Sequence, residues 1–247
     1  MNIIASQKIT VNTENPSKNS NSPDYSRKCY SNTNATNAQN AQLLAHLWRG
    51  GDWGNFWTPN GGATLDKKNS RFIPTNRPFA PLDWIASKNL YFGVNPCVSK
   101  REYFQRSINA EIAAINCLYA EFDGKDETAP TDEQIKVHFD RIMAAGAKSA
   151  LGATNEALGK AKKDVYNSAP AIYKGLAFAR IDALPVRPSV IVASGGGYQC
   201  YWLLDETFSF AGDAAHVRRW AETIQERWVS FVGADQAAHD LARVLRL

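Results

Sequence analysis

Apolar residues recur along this chain in two rhythms, one helical and one alternating. In NAQNAQLLAHLW, Leu43, Leu44, Leu47 and Trp48 fall at helical spacing, and the GG that follows stops the helix. PTDEQIKVHFDRIMAAG predicts a second helix, capped by Thr131 or Asp132, with Ile135, Phe139 and Ile142 or Met143 facing inward. A third runs through Val217, Trp220 or Ala221, Ile224, Trp228 and Phe231, its outer face carrying Arg218, Arg219, Glu222, Glu226 and Arg227. Between these lie strand signals. LYFGVNP reads as a strand ending at Pro96, and CLYAEFDGKD as one ending at the Gly124 turn. PSVIVASGGGYQCYWLL reads as two strand segments around a glycine-rich turn. Residues 147–183 are rich in Ala and Lys and predict a partly helical insertion, with Lys160, Lys162 and Lys163 on a solvated face. Strands and helices mix without a regular βαβ rhythm, which predicts an α+β fold with a mainly antiparallel sheet flanked by helices.

The alternation in CLYAEFDGKD raises a chemical question. Tyr119, Glu121 and Asp123 share one face of the strand, whereas Leu118, Ala120 and Phe122 point to the other, the expected core. Two carboxylates so placed repel and are costly to desolvate, so that face meets water or something positive.

Composition narrows the classes. At 247 residues and 44% hydrophobic, the chain can bury one principal core. The Asn-, Ser- and Thr-rich stretch 1–38 predicts a disordered tail, leaving 39–247 as the domain. A formal net charge of +4 is compatible with a polyanionic partner. Cys29, Cys97, Cys117 and Cys200 are scattered, which argues against a zinc site or a disulfide framework and for a reducing cytoplasm. Neither a secretory signal nor a membrane span is expected. Trp53, Phe56 and Trp57, in the turn-rich GDWGNFWTPNGG, fit either a core cluster or a base-stacking platform.

Three segments carry candidate chemistry. Glu121 and Asp123 suit a hard divalent cation, which takes carboxylate oxygens together with substrate phosphates. Alone, the pair also fits a solvated strand end. In SGGGYQCYW, the glycines let backbone N–H groups approach an anion, and Ser194 and Gln199 can add hydrogen bonds; a plain hairpin turn fits equally. GADQAAHDLARVLRL offers Asp235 as a further carboxylate and, if helical, brings Asp240, Arg243 and Val244 together, with Arg246 following. Arginine forks suit phosphate, and ordinary surface salt bridges are the alternative.

Taken together and in order, these segments resemble the archaeo-eukaryotic primase superfamily, in particular the primase-polymerases of plasmids, phages and other mobile elements. LYAEFD resembles its acid-x-acid strand end, SGGGYQCYW its Ser-x-His turn, and GADQAAHDLARVLRL its Asp with following arginines. The resemblance covers roughly residues 40–247 and implies an RRM-like catalytic core. It implies two Mg²⁺ or Mn²⁺ ions on Glu121, Asp123 and Asp235, which would also be the catalytic residues. Ser194, Gly195, Gly197, Gln199, Arg243 and Arg246 would bind the nucleoside triphosphate. Single-stranded DNA would be the template, with Arg218 and Arg219 as its candidate contacts, and a helicase domain or protein a possible partner. The implied activity is primer synthesis or extension by nucleotidyl transfer. Two departures stand out: Gln199 occupies the usual His position, and the chain stops at RVLRL where family members continue, as a truncated piece would. A catalytically inert DNA-binding module and a metal-dependent nucleotide-sugar glycosyltransferase are the rival readings.

Overall fold

The computed structural model describes residues 9–11, 33–57, 70–76, 90–101, 105–145, 151–194, 196–210 and 214–246; Cys29 and Gly195 lie outside them. In chain order the elements are β1 (Ile9–Val11), α1 (Thr33–Leu47), β2 (Trp53–Trp57), β3 (Ser70–Pro74), β4 (Tyr91–Gly93) and a 3₁₀ turn (Asn109–Glu111). There follow β5 (Ala114–Asp123), α2 (Gly124–Glu127), α3 (Asp132–Ala144), α4 (Leu151–Ser168) and α5 (Pro170–Asp182). The last are β6 (Val190–Ala193), β7 (Gly197–Ser209), α6 (Ala214–Val232) and β8 (Val244–Arg246). The strands form two four-stranded sheets, ordered β1-β6-β7-β5 and β3-β2-β4-β8. Every pairing in the second sheet is antiparallel, whereas β1 runs parallel to β6. The fold is α+β, as the pattern predicts. Within the leader expected to lack order, Ile9–Val11 nonetheless form a strand, and α1 begins at Thr33.

Where a single domain is expected from 39 onward, the chain divides into two compact units. Unit 1 comprises Met1–Glu121, Val186–Gly195 and Gln199–Leu247; unit 2 comprises Phe122–Pro185 and Gly196–Tyr198. The reason lies in the Ala- and Lys-rich insertion. It folds into α4 and α5, and Ala161, Val165 and Tyr173 join Ile135 of α3 in a core of their own. Of the two expected caps, Thr131 is the one that caps α3, and it does so in a capping box with Gln134. Lys160, Lys162 and Lys163 are exposed on α4.

Among the described residues of unit 1, apolar side chains gather in two clusters. In one, Leu44, Leu47 and Trp48 of α1 meet Phe56, Phe92, Tyr119 and Tyr201; in the other, Ile112, Ile115, Leu204, Phe210, Ala221 and Leu241 pack together. Phe56 is buried, with Trp53 and Trp57 half-buried beside it on β2, so this aromatic run belongs to the core. Cys97, Cys117 and Cys200 are free and buried, and burial raises all three thiols, Cys97 to about 11.

Two readings of the last segments are corrected. The buried positions of α6 are Ala221, Gln225, Val229 and Val232, while Trp220 and Phe231 are exposed at 49% and 61%. The buried stripe runs through the smaller side chains, which let α6 lie close against its sheet. The final stretch, for which a helix is one reading of the sequence, turns instead and ends in β8, where Val244, Leu245 and Arg246 pair with Gly93, Phe92 and Tyr91.

Trp48 donates its indole N–H to the Gly93 carbonyl at 2.8 Å and meets Phe56 edge-on. A Cβ on Gly54 would clash with Cδ2, Cε3 and Cζ3 of the Trp48 ring. Gly54→Ala is therefore expected to lower stability by about 1–3 kcal/mol, the usual range for overpacking, measured by the urea unfolding midpoint.

Candidate active site

Among the described residues β5 is the edge strand of its sheet, and one side of its backbone has no strand partner there. It is buried from Ala114 to Ala120, including Tyr119 on the face shared in sequence with the acids; only Glu121 and Asp123 are half-buried. A buried edge needs hydrogen-bond partners. Gln225 of α6 supplies them at Tyr119, donating its amide to the Tyr119 carbonyl at 2.7 Å and accepting the Tyr119 N–H at 3.4 Å. Two residues on, the Glu121 carbonyl accepts the N–H of Asp235 at 3.2 Å.

The turn after α6 makes the second contact possible. Gly233 takes a φ of 65°, the left-handed conformation that glycine adopts without penalty. The N–H of Gly233 reaches the Ser230 carbonyl and that of Ala234 reaches Val229, the paired bonds of a Schellman motif. The chain reverses and sets Asp235 beside the end of β5. The Asp235 carboxylate accepts the Ala237 N–H at 2.9 Å. Beyond it the Tyr119 hydroxyl donates to the Asp240 carbonyl, and Asn95 donates to that of Leu241 at 2.9 Å. Burial first, then the neighbouring Asp240 charge, holds the Tyr119 hydroxyl well above its ordinary pKa, so it stays a proton donor.

These contacts deliver Arg243 to Glu121. Its Nη2 and Nε both donate to Oε2 of Glu121, at 2.5 and 3.2 Å. Nη1 donates to the Ala237 carbonyl at 3.3 Å, with the Asp240 carboxylate 3.8 Å away. Burial opposes the charge on Arg243, but the hydrogen bond and charge of Glu121, aided by Asp240, outweigh it and raise the pKa.

The other candidates have different partners. Arg246 donates to the Tyr91 hydroxyl at 3.3 Å and lies over that ring. Arg218 donates to the Ile112 carbonyl at 3.0 Å and covers Phe210, a structural use of a side chain read as a DNA contact; Arg219 is exposed. Ser194 follows β6 and is half-buried. Gln199 is 2% exposed. With its amide oriented so that donors face acceptors, it accepts the Arg246 N–H at 3.0 Å and donates to the Arg246 carbonyl at 2.9 Å. The amide read as a phosphate donor is directed at the backbone of β8.

In unit 2, Asp123 pairs with Lys125 at 2.9 Å, both ends substantially exposed. A Cβ on Gly197 would collide with the Phe122 carbonyl oxygen and lie 2.8 Å from the Asp123 Cα, so glycine is required by the strand passing beside it. Gly196 accepts the Gly124 N–H at 3.1 Å. Among the described residues, no group of three or more His, Cys, Asp or Glu side chains is placed to hold a metal ion. The carboxylates as they stand do not form the cage that the resemblance implies.

Sequence reasoning did not single out Gln225, although a glutamine four residues from both Ala221 and Val229 is a legible sign of a polar group turned inward. The role of Tyr119 had no local signal.

No family model matches the chain, and no curated protein does either. Among solved structures it is similar to the AEP domain of the cyanophage S-2L primase-polymerase (PrimPol), at 15% identity and a TM-score of 0.42. The match covers 87% of this chain and 80% of that one. No helix among the described residues is long and apolar enough to cross a membrane.

Removing the Gln199 amide would strand a buried N–H and C=O on β8, each costing about 1–3 kcal/mol. Gln199→Ala is expected to unfold at clearly lower urea, by about 2 kcal/mol or more; an unchanged midpoint would show that water replaces the amide.

Proposed function

We propose that this chain is a nucleotidyltransferase that builds or extends a strand on a single-stranded DNA template. One observation carries the reading. Glu121 and Arg243, 122 residues apart, meet at the end of a buried strand, with the backbone of Asp235 hydrogen-bonded to Glu121 beside them. These are the residues on which the first and third motif resemblances rest.

In this reading a 3′-hydroxyl oxygen attacks the α-phosphorus of a bound nucleoside triphosphate. The new P–O bond forms as the bond to the β-phosphate oxygen breaks; pyrophosphate leaves and the hydroxyl proton passes to solvent. Arg243 and Arg246 grip the phosphates, with Ser194 and the glycine turn as further contacts. Gln199 supports them indirectly by holding the backbone of Arg246. Half-burial strengthens each charge interaction relative to open water. Glu121, Asp235 and Asp123 supply the negative charge that activity requires. Dependence on Mg²⁺ or Mn²⁺ is part of the proposal. The template is held through its backbone, with Arg219 as a contact, so its binding weakens with salt.

The test is incubation with single-stranded DNA, labelled ribo- or deoxyribonucleotides and Mn²⁺, without and then with a primer. Incorporation is expected, and Asp123→Ala and Asp235→Ala are each expected to reduce it to about one-hundredth or less, as loss of a key electrostatic group does. Incorporation near the wild-type rate in both variants would overturn the site. DNA binding without incorporation would identify an inert module, and hydrolysis of a sugar nucleotide a glycosyltransferase.

A further inference from the structure

The second sheet has two faces of different character. Phe56 of β2, Phe92 of β4 and Leu245 of β8 stand opposite one another in register, and all three are buried. The next row in the same register is Trp57, Tyr91 and Arg246. Side chains alternate along a strand, so this row faces the other way. All three are half-buried, and Trp57 ends the aromatic run of β2 at the margin of the core. Trp57 meets Tyr91 edge-on, with ring centroids 5.3 Å apart. The guanidinium of Arg246 lies 5.7 Å from the centre of the Tyr91 ring, and that of Arg106 lies 5.7 Å from the centre of the Trp57 ring. The segment that carries Arg106 is fixed in place. Ser70, opposite Trp57 on β3, donates to the Gln105 carbonyl at 3.4 Å, Arg101 donates to that of Arg106 at 3.2 Å, and Ser107 is buried.

Among the described residues neither Arg106 nor Arg246 meets a carboxylate, whereas Arg101 pairs with Glu111 at 3.2 Å. The indole N–H of Trp57 likewise has no acceptor among the described residues, whereas those of Trp48 and Trp202 each reach a carbonyl. This row therefore carries positive charge that the protein does not neutralise there. A guanidinium laid on an aromatic ring keeps its in-plane N–H donors for an anion and its free face for another flat group. A partner that supplies phosphates and flat faces in alternation is a nucleic acid, and only unpaired bases have faces to offer. We propose that Arg106, Trp57 and Tyr91 form a track for single-stranded nucleic acid across the second sheet. Arg106 meets a phosphate with its edge and a base with its free face, and the rings beneath hold it flat. Arg246, at the other end of the row, is the proposed triphosphate contact, so the track leads from the nucleotide to the strand. That this strand is the template rests on the nucleotidyltransferase reading; that the row binds a single strand does not.

The test is the fluorescence anisotropy of a labelled oligothymidine across a salt series, on the wild-type protein and its variants. Each phosphate contact to a single strand adds about 0.7 to the slope of log affinity against log salt. Arg106→Gln is expected to lower that slope by about 0.7 and to weaken binding about tenfold. Arg106→Lys keeps the charge but loses the plane, so it should keep the slope and still bind about fivefold more weakly. Trp57→Leu, which removes a ring and no charge, should behave as Arg106→Lys does. Circular dichroism and the urea midpoint verify folding, and because Arg106 is exposed, its two variants decide the matter should Trp57→Leu unfold. Arg141→Gln, exposed on α3, should match the wild type. Unchanged affinity and slope in Arg106→Gln overturn the track. So does competition by inorganic tripolyphosphate as effective, per phosphate, as that by unlabelled oligothymidine, which would mark a simple anion site. Equal dependence on Arg106 for duplex DNA overturns the single-strand assignment. If the track fails while the wild type incorporates nucleotide, the function stands and the template is held elsewhere. If the wild type binds oligothymidine through Arg106 but incorporates nothing, the function falls and the track stands.

Discussion

The unpaired side of β5 governs the organisation of unit 1. A buried strand edge cannot leave its N–H and C=O groups without partners, and among the described residues no further strand supplies them. A glutamine side chain closes the edge at Tyr119, and the backbone of Asp235 closes it at Glu121. The register of α6 follows, because Gln225 must face the strand, and the closeness of that approach follows from Ala221 and Val229 on the same side. The Schellman turn at Gly233 then brings the chain back to the edge that the helix has just left. Arg243 arrives at Glu121 through a series of satisfied main-chain groups, and the ion pair is the end of that series.

The two acids of LYAEFD have different electrostatic settings. Glu121 meets a guanidinium in a half-buried place, where both members lose much of their hydration and each depends on the other. Asp123 meets Lys125 with exposures of 34% and 56%, a pairing that water and salt weaken readily and that contributes little to stability. Identical spacing from the sequence thus yields one carboxylate that is firmly held and one that is loosely held.

Much of this was legible in the residues. The helical spacing of α1, the cap of α3, the strand that ends in acid-x-acid and the two strands flanking the glycines all express local preferences, and they recur in the structure. What escaped was set by distant partners. VLR is a strand because β4 offers it an edge, whereas HDLARVLRL by itself has helical spacing. Phe231 faces out although it is large and apolar, because α6 is turned by the demands of Gln225. Arg218 and Gln199 look like ligands in a sequence, since nothing local says that a carbonyl of residue 112 or the backbone of residue 246 will claim them. Polar side chains that serve the backbone and those that serve a substrate have the same composition; only their partners separate them.

The claim of Gln199 on β8 has an evolutionary consequence. A carboxamide presents a donor and an acceptor side by side, matching the C=O and N–H of one residue on a neighbouring strand. An imidazole carries its two nitrogens on different sides of a ring and does not reproduce that match. Exchange of Gln199 for His, or the reverse, is therefore not an isolated event: its cost depends on how residues 244–246 are paired at the time. The effect of a substitution at position 199 is therefore expected to change with substitutions that shift the backbone of residues 244–246.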